Sequence, residues 1–161
     1  MAYSLVEQET LDINWYFIDR FKHICVAISA GGFLPPIISE NEEKNDQFHK
    51  IINLLPERFE SIRNKPMIKR IQGIESDEEI KTYFSYFEIL ARKGLFVFDR
   101  HQINDSNDPN YFLVAYPKYD TKIDEFPLKK DDLLLIPRIK QTISKRIINP
   151  FNLTAYFYKQ I

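Results

Sequence analysis

Two pairs of short apolar segments, each pair separated by polar residues, dominate the pattern of this chain. Residues 14–19 and 24–29 are dense in aromatic and β-branched side chains, and so are residues 95–98 and 111–116. Such segments favour β-strands, and the polar stretches between them favour turns. The pattern therefore predicts two β-hairpins.

The first of these strands is apolar on both faces. Side chains alternate across a strand, so Trp15 and Phe17 point to one face while Tyr16 and Ile18 point to the other. We therefore expect this strand to lie inside a sheet and not at its edge.

Two longer segments carry the spacing of amphipathic helices. Residues 40–55 follow a capping-box pattern at Ser39–Glu42, and residues 77–93 follow a second one at Ser76–Glu79. Gly94 stands where a helix commonly ends in the left-handed conformation. The pattern predicts two helices that pack their apolar stripes on one face of the sheet.

Three further segments complete the predicted fold. The prolines in residues 33–38 favour an extended chain, isoleucines at helical spacing favour a helix over 138–147, and residues 153–158 favour a final strand. We expect a single α+β domain over 1–161, with a mostly antiparallel sheet made of two hairpins and the C-terminal strand.

Composition narrows the class of protein without naming a function. The hydrophobic share of 44% is ample for a core, and the net charge of −1 gives no general reason to expect nucleic-acid binding. The single cysteine, Cys25, excludes an intrachain disulfide and a multi-cysteine zinc site, and its strand position predicts a buried, inert thiol. We expect no cofactor.

The placement of apolar residues predicts a cytoplasmic protein. No apolar run approaches the ~20 residues of a membrane span. The start at Met1 lacks a basic segment followed by an apolar one, so we expect no secretory signal and no membrane partner.

Charge is distributed unevenly along the chain. Residues 1–60 carry 10 acids and 5 Lys or Arg, whereas residues 61–161 carry 13 acids and 17 Lys or Arg. Acids cluster at the start of the first predicted helix, and they are candidate contacts for a basic partner: Glu40, Glu42, Glu43 and Asp46. The helix dipole alone also favours acids there, by ~0.3–1 kcal/mol each.

No catalytic signature accompanies these features. The chain has no HExxH, no GxSxG elbow and no phosphate-binding glycine loop, and Gly31-Gly32 is typical of a turn. The best enzymatic constellation consists of Asp19, Asp99 and His101, each at or just beyond the end of a predicted strand. If these side chains converge, they would hold a divalent cation for hydrolysis or nuclease chemistry.

One stretch resembles a known group of proteins. The strand 14–19, the apolar strand leading to Gly32, and Leu34-Pro35 are similar to a pattern in small uncharacterised bacterial proteins that resemble immunity proteins of polymorphic toxin systems. The resemblance covers about 22 of the 161 residues. It includes Trp15, Asp19 and the Gly31–Gly32 pair, which serve equally as fold determinants.

The chain departs from that pattern at two positions, with Asn14 in place of an Asp and Lys22 in place of the turn glycine. The resemblance implies a protein without catalysis that binds a toxin and blocks its active site.

Three hypotheses for function follow. The first is a non-enzymatic binding protein, most concretely an immunity protein for a bacterial toxin. The second is a metal-dependent hydrolase or nuclease built on Asp19, Asp99 and His101. The third is an assembly subunit whose aromatic strands pair between chains. The oligomeric state and the order of strands stay open.

Overall fold

The two predicted hairpins are both present in the computed structural model, which describes residues 1–102, 105, 107–142 and 147–158. The first hairpin is formed by β1 (Asn14–Ile18) and β2 (Ile24–Ile28), and the second by β4 (Phe96–Arg100) and β5 (Tyr111–Pro117). Aromatic and β-branched side chains fill all four strands, and nearly every one of these side chains is buried.

Five helices and four short strands surround these hairpins. The helices are α1 (Leu5–Thr10), α2 (Pro36–Ser39), α3 (Glu42–Asn53), α4 (Lys65–Gln72) and α5 (Asp77–Arg92). The short strands are β3 (Ser61–Arg63), β6 (Pro137–Ile139), β7 (Ile147–Ile148) and β8 (Ala155–Phe157), and there are three-residue 3-10 helices at Ile123–Glu125, Asp132–Leu134 and Pro150–Asn152.

All the described strands belong to one mixed sheet. Its order is β3-β5-β4-β2-β1-β6-β8, and β7 pairs with the other end of β5. The pairings of β2 with β4 and of β1 with β6 are parallel, and the rest are antiparallel. The predicted α+β class is thus confirmed, with a sheet that is mostly antiparallel.

Helices α3, α4 and α5 cover one face of the sheet, as their apolar stripes predict for α3 and α5. Phe48 and Ile52 of α3 lie in the same buried cluster as Phe84 and Phe87 of α5, together with Tyr16 of β1. Burial of this apolar area is the main favourable contribution to folding.

A second core lies on the opposite face of the sheet. Trp15 and Phe17 pack there with Leu34, with Ile38 of α2 and with Tyr3 from the start of the chain. Successive side chains of β1 therefore lie alternately in the two cores, as predicted. The small side chains of β2 on this face, Cys25 and Ala27, leave room for the covering segment.

The start of α3 differs from its prediction. The Pro35-Pro36 pair does not keep the chain extended, because Pro36 occupies the first position of α2, where a missing N–H costs nothing. Ser39 ends this helical turn and does not cap α3, whose N-cap is Asn41 without a side-chain bond. By contrast, Ser76 does cap α5 by accepting from the Glu79 N–H at 3.2 Å.

The predicted helix over 138–147 is wrong at both described ends. Pro137–Ile139 is strand β6 and Ile147–Ile148 is strand β7, because these isoleucines pair with the sheet instead of packing along a helix. Residues 143–146 of this prediction lie outside the described residues. The final strand is shorter than predicted and comprises Ala155–Phe157.

None of the helices in the described part of the chain combines the length and the apolar character needed to cross a bilayer.

The α5 stripe yields a test of the core. Phe84 is fully buried between α5 and the sheet, so Phe84→Ala should lower the free energy of unfolding by ~3–5 kcal/mol. Leu54 is 86% exposed, and Leu54→Ala should change the same quantity by less than ~0.5 kcal/mol. Urea denaturation followed by tryptophan fluorescence measures both; equal effects would contradict the packing described.

The first hairpin turn offers a second test. Lys22 has φ of 68°, a left-handed conformation that costs a residue with a Cβ roughly 1–2 kcal/mol. Its N–H donates to the Asp19 carbonyl at 3.1 Å, which closes the turn. Lys22→Gly should therefore raise the free energy of unfolding by about 1 kcal/mol, since glycine adopts this φ without a clash but loses more chain entropy.

Arg20 in the same turn is exposed and has an ordinary negative φ, so Arg20→Gly is the matched control and should be destabilising. A loss of stability in Lys22→Gly similar to that in Arg20→Gly would refute this description of the turn.

Candidate functional site

The residues proposed for metal-dependent chemistry lie at opposite ends of the sheet. Asp19 directly follows β1, whose last residue pairs with Ile24 at the start of β2. Asp99 pairs with Ile28 at the far end of β2, and His101 follows it. Four residues of strand span roughly 13 Å. Asp19 therefore does not meet Asp99 and His101, and the convergence that the hydrolase hypothesis requires is not formed.

Asp19 instead belongs to a buried cluster at the first hairpin turn. Its carboxylate accepts from the backbone N–H of His23 at 2.8 Å and lies 2.9 Å from His23 Nδ1. The other ring nitrogen of His23, Nε2, bonds the Asp120 carboxylate. Both ring nitrogens are thus engaged, and the ring links the hairpin turn to the loop that follows β5. We call this arrangement the His23 clamp.

The two carboxylates also control the ionisation of His23. Burial opposes protonation, but the bonds to Asp19 and Asp120 together outweigh burial, so the pKa of His23 is raised above its usual value. The protonated ring is stabilised as a bridge between two anions, which suits a structural ion pair.

Asp99 lies in a separate buried cluster at the other end of the sheet. Burial raises the pKa of this carboxyl to about 6, although the Tyr83 hydroxyl and the Arg100 backbone N–H both donate to it. His101 turns away to Asp108, with 2.8 Å between His101 Nδ1 and the carboxylate. Asp99 and His101 therefore bond to different residues and do not contact a common site.

Two further observations concern metal binding and thiol chemistry among the described residues. Within the described ranges, no three His, Cys, Asp or Glu side chains are grouped so that they would hold a metal ion. Cys25 is buried as predicted, and burial raises the pKa of its thiol well above the usual value, which keeps the thiol protonated.

A concave surface with a consistent charge lies where α1, the start of β1, α3 and α5 meet. We call it the acidic groove; it encloses about 380 Å³ and is lined by Tyr3, Glu7, Leu11, Asp12, Ile13, Asn14, Glu42, Asp46, His49 and Tyr86. Four of these side chains are carboxylates, and none of the described lining residues is Lys or Arg. Burial lowers the pKa of His49, so its ring adds no positive charge at neutral pH.

Local hydrogen bonds hold three of the four carboxylates in place. Glu7 accepts from the Ser4 N–H at 2.7 Å in the capping box of α1. Asp12 accepts from the Ala30 N–H at 2.8 Å, and Asp46 accepts from the Tyr3 hydroxyl. Each carboxylate keeps acceptor capacity for a further donor, since an ionised carboxylate has about four lone-pair sites.

The floor of the groove is a polar network that joins three elements. The Asn45 amide on α3 donates to the Asn14 carbonyl on β1 at 2.9 Å and to the Tyr3 hydroxyl at 3.0 Å. The Asn14 amide in turn donates to the Tyr86 hydroxyl on α5 at 2.6 Å. This network fixes the relative positions of the groove walls, and it holds Tyr86 with 46% of its surface exposed.

The acids proposed from sequence divide between the groove and the open surface. Glu42 and Asp46 line the groove, whereas Glu40 and Glu43 are exposed outside it. Sequence reasoning missed Glu7 and Asp12, which reach the groove from segments remote in sequence from α3. For Glu7 a signal exists, since its spacing from Ser4 matches a capping box.

The residues that carry the family-like pattern have structural contacts. Trp15 is buried and meets Tyr111 edge to face at 5.7 Å between ring centroids. Gly31 has φ of +75°, and a Cβ on Gly32 would lie 2.5 Å from Nη1 of Arg100. These glycines allow the chain after β2 to turn and to pass directly over the guanidinium.

Comparisons with known proteins returned nothing: no family model, no curated protein and no solved structure matches this chain.

The His23 clamp predicts a pH dependence of stability. The folded pKa of His23 is raised, so its contribution is fully present below the unfolded pKa of about 6.5 and is lost as pH rises through the folded value. The free energy of unfolding should therefore fall between pH 6 and pH 8. In His23→Gln this fall should become smaller, as measured by urea denaturation across that range.

His49→Gln is the matched control because the pKa of His49 is shifted downward. His49 makes stability rise with pH up to about 6.5, so removing it should leave the fall above pH 7 intact. An unchanged slope in His23→Gln would contradict the clamp.

Proposed function

We propose that this chain is a non-enzymatic protein-binding domain that acts in the cytoplasm and presents the acidic groove to a basic surface of a partner. The most concrete partner is a bacterial toxin whose active-site cleft carries Lys or Arg, which would make the chain an immunity protein. The observation that carries this proposal is the groove itself, with four carboxylates and no Lys or Arg among its described lining residues.

The fixed orientation of the groove carboxylates supports a binding role. Its carboxylates are oriented by bonds to Ser4, Ala30 and Tyr3 before any partner arrives. Such preorganisation lowers the entropy lost on association, and a field of one sign accelerates the encounter with an opposite charge. Tyr86 adds a half-exposed aromatic ring at the rim, and tyrosine is enriched among residues that dominate binding energy.

The state of the other ionisable groups also supports this proposal. The His23 ring bridges two carboxylates, Asp99 accepts a hydrogen bond from Tyr83, and Cys25 is buried in the core. These groups are therefore engaged in structural contacts or buried. The pairing of chains through aromatic strands stays a prediction.

Two pairs of acids give a matched test by charge removal. Glu42→Gln with Asp46→Asn removes two charges inside the groove, while Glu40→Gln with Glu43→Gln removes two charges just outside it. Binding to the product of an adjacent toxin-like gene, measured by calorimetry, should weaken about tenfold or more for the first pair. The second pair should change the affinity by less than about threefold.

Thermal unfolding of both double variants controls for the loss of the bond between Tyr3 and Asp46. Equal losses of affinity in the two pairs would argue that the groove is not the contact. If the neighbouring gene encodes no toxin, or if its product does not bind, the immunity assignment fails.

A further inference from the structure

A buried arginine at the end of β4 makes two side-chain hydrogen bonds to the residues that the structure describes. Arg100 is 2% exposed, and its Nη2 donates to the backbone carbonyls of Asp105 at 2.6 Å and Asp108 at 2.9 Å. Within the described part of the chain, no carboxylate forms an ion pair with it. Asp99 acts on the guanidinium only through a longer-range Coulomb interaction.

The remaining donors of the Arg100 side chain are its Nε and Nη1 atoms. No described residue accepts a hydrogen bond from its Nε or Nη1. The chain passes over this part of the guanidinium at Gly32, where any side chain would clash with Nη1, Cζ and Nε. Arg100 is thus a buried cation without a carboxylate partner among the described residues, and an anion beside it would offset the cost of its desolvation.

Arg100 lines a pocket with mostly apolar walls. The pocket encloses about 170 Å³, and its lining includes Phe33, Arg100, Asp108, Pro109, Tyr111 and Phe151. Phe33 is 38% exposed and Phe151 is 46% exposed, so two aromatic rings stand at the pocket without being buried in the core.

Asp108 is the acid among the described lining residues, and its carboxylate already has partners. Asp108 accepts from the backbone and side-chain N–H groups of Asn110 and pairs with His101. The Asp108 carboxylate thus bonds to neighbouring residues of the same loop and not to Arg100.

We infer that this pocket binds a small organic carboxylate, with the carboxylate on Arg100 and the apolar body against Phe33 and Phe151. A guanidinium is the side chain best suited to a carboxylate, and the aromatic rings suit an apolar body better than a fully hydrated anion. The site is separate from the acidic groove, and its test needs no protein partner.

Sodium benzoate is the probe, and benzyl alcohol is the neutral compound of similar size. Both are titrated into the full chain at constant ionic strength set with sodium chloride, with ¹H–¹⁵N NMR following the Gly32 amide and the Arg100 Nε–H. Benzoate should shift both signals saturably, and benzyl alcohol should bind at least about tenfold more weakly, because it lacks the charge-assisted hydrogen bonds.

Three variants locate the binding. Phe151→Ala should raise the dissociation constant for benzoate about fivefold or more, while Phe21→Ala removes an equally exposed ring elsewhere and should leave it unchanged. Arg100→Gln should abolish saturation. If Arg100→Gln does not fold, the comparison of the two phenylalanine variants decides.

Three results would overturn the inference. They are the absence of a saturable shift at tens of millimolar benzoate, equal binding of benzyl alcohol, and saturation by inorganic phosphate but not by benzoate. The last result would indicate a hydrated oxyanion site instead.

Discussion

The parallel pairing of β2 with β4 is the constraint on which the rest of this structure depends. It joins two hairpins that are remote in sequence into one sheet, with Cys25 to Ile28 in register with Phe96 to Asp99. A parallel junction requires a long crossover, and here the segment between β2 and β4 contains α2, α3, β3, α4 and α5. Because three of these helices return over one face, the same junction creates the main core and brings α3 and α5 to the walls of the acidic groove.

The β2–β4 pairing also determines the positions of two acidic residues in the sheet. Each hairpin ends its first strand with an acid, Asp19 in one case and Asp99 in the other. Since β4 runs parallel to β2, it runs antiparallel to β1, and the two acids are placed at opposite ends of the sheet. Each acid is then satisfied locally, Asp19 by His23 and Asp99 by Tyr83. The same pairing that builds the core thus separates the three residues that the hydrolase hypothesis needs together.

Local pattern was enough to predict the two hairpins and α5, but not which strands lie next to one another. Alternation placed Trp15 and Tyr16 on opposite faces correctly, and helical spacing with the Ser76 cap predicted α5 to within a residue at its end. Strand order depends on contacts between distant segments, about which alternation carries no information. The groove shows the same limit: Glu42 and Asp46 were identifiable as helix-start acids, whereas Tyr86 reaches the groove only through the packing of α5 beside β1.

Hydrogen exchange of backbone amides, resolved by NMR and combined with inter-strand nuclear Overhauser effects, tests the β2–β4 junction most directly. Amides of β2 and β4 should exchange only through global unfolding, because both strands are buried on both faces and paired on both edges. Contacts should join Val26 to Val97 in parallel register, and amides of the edge strand β8 should exchange faster. Exchange in β2 as fast as in β8, or contacts that pair β4 with β1 instead of β2, would contradict the account.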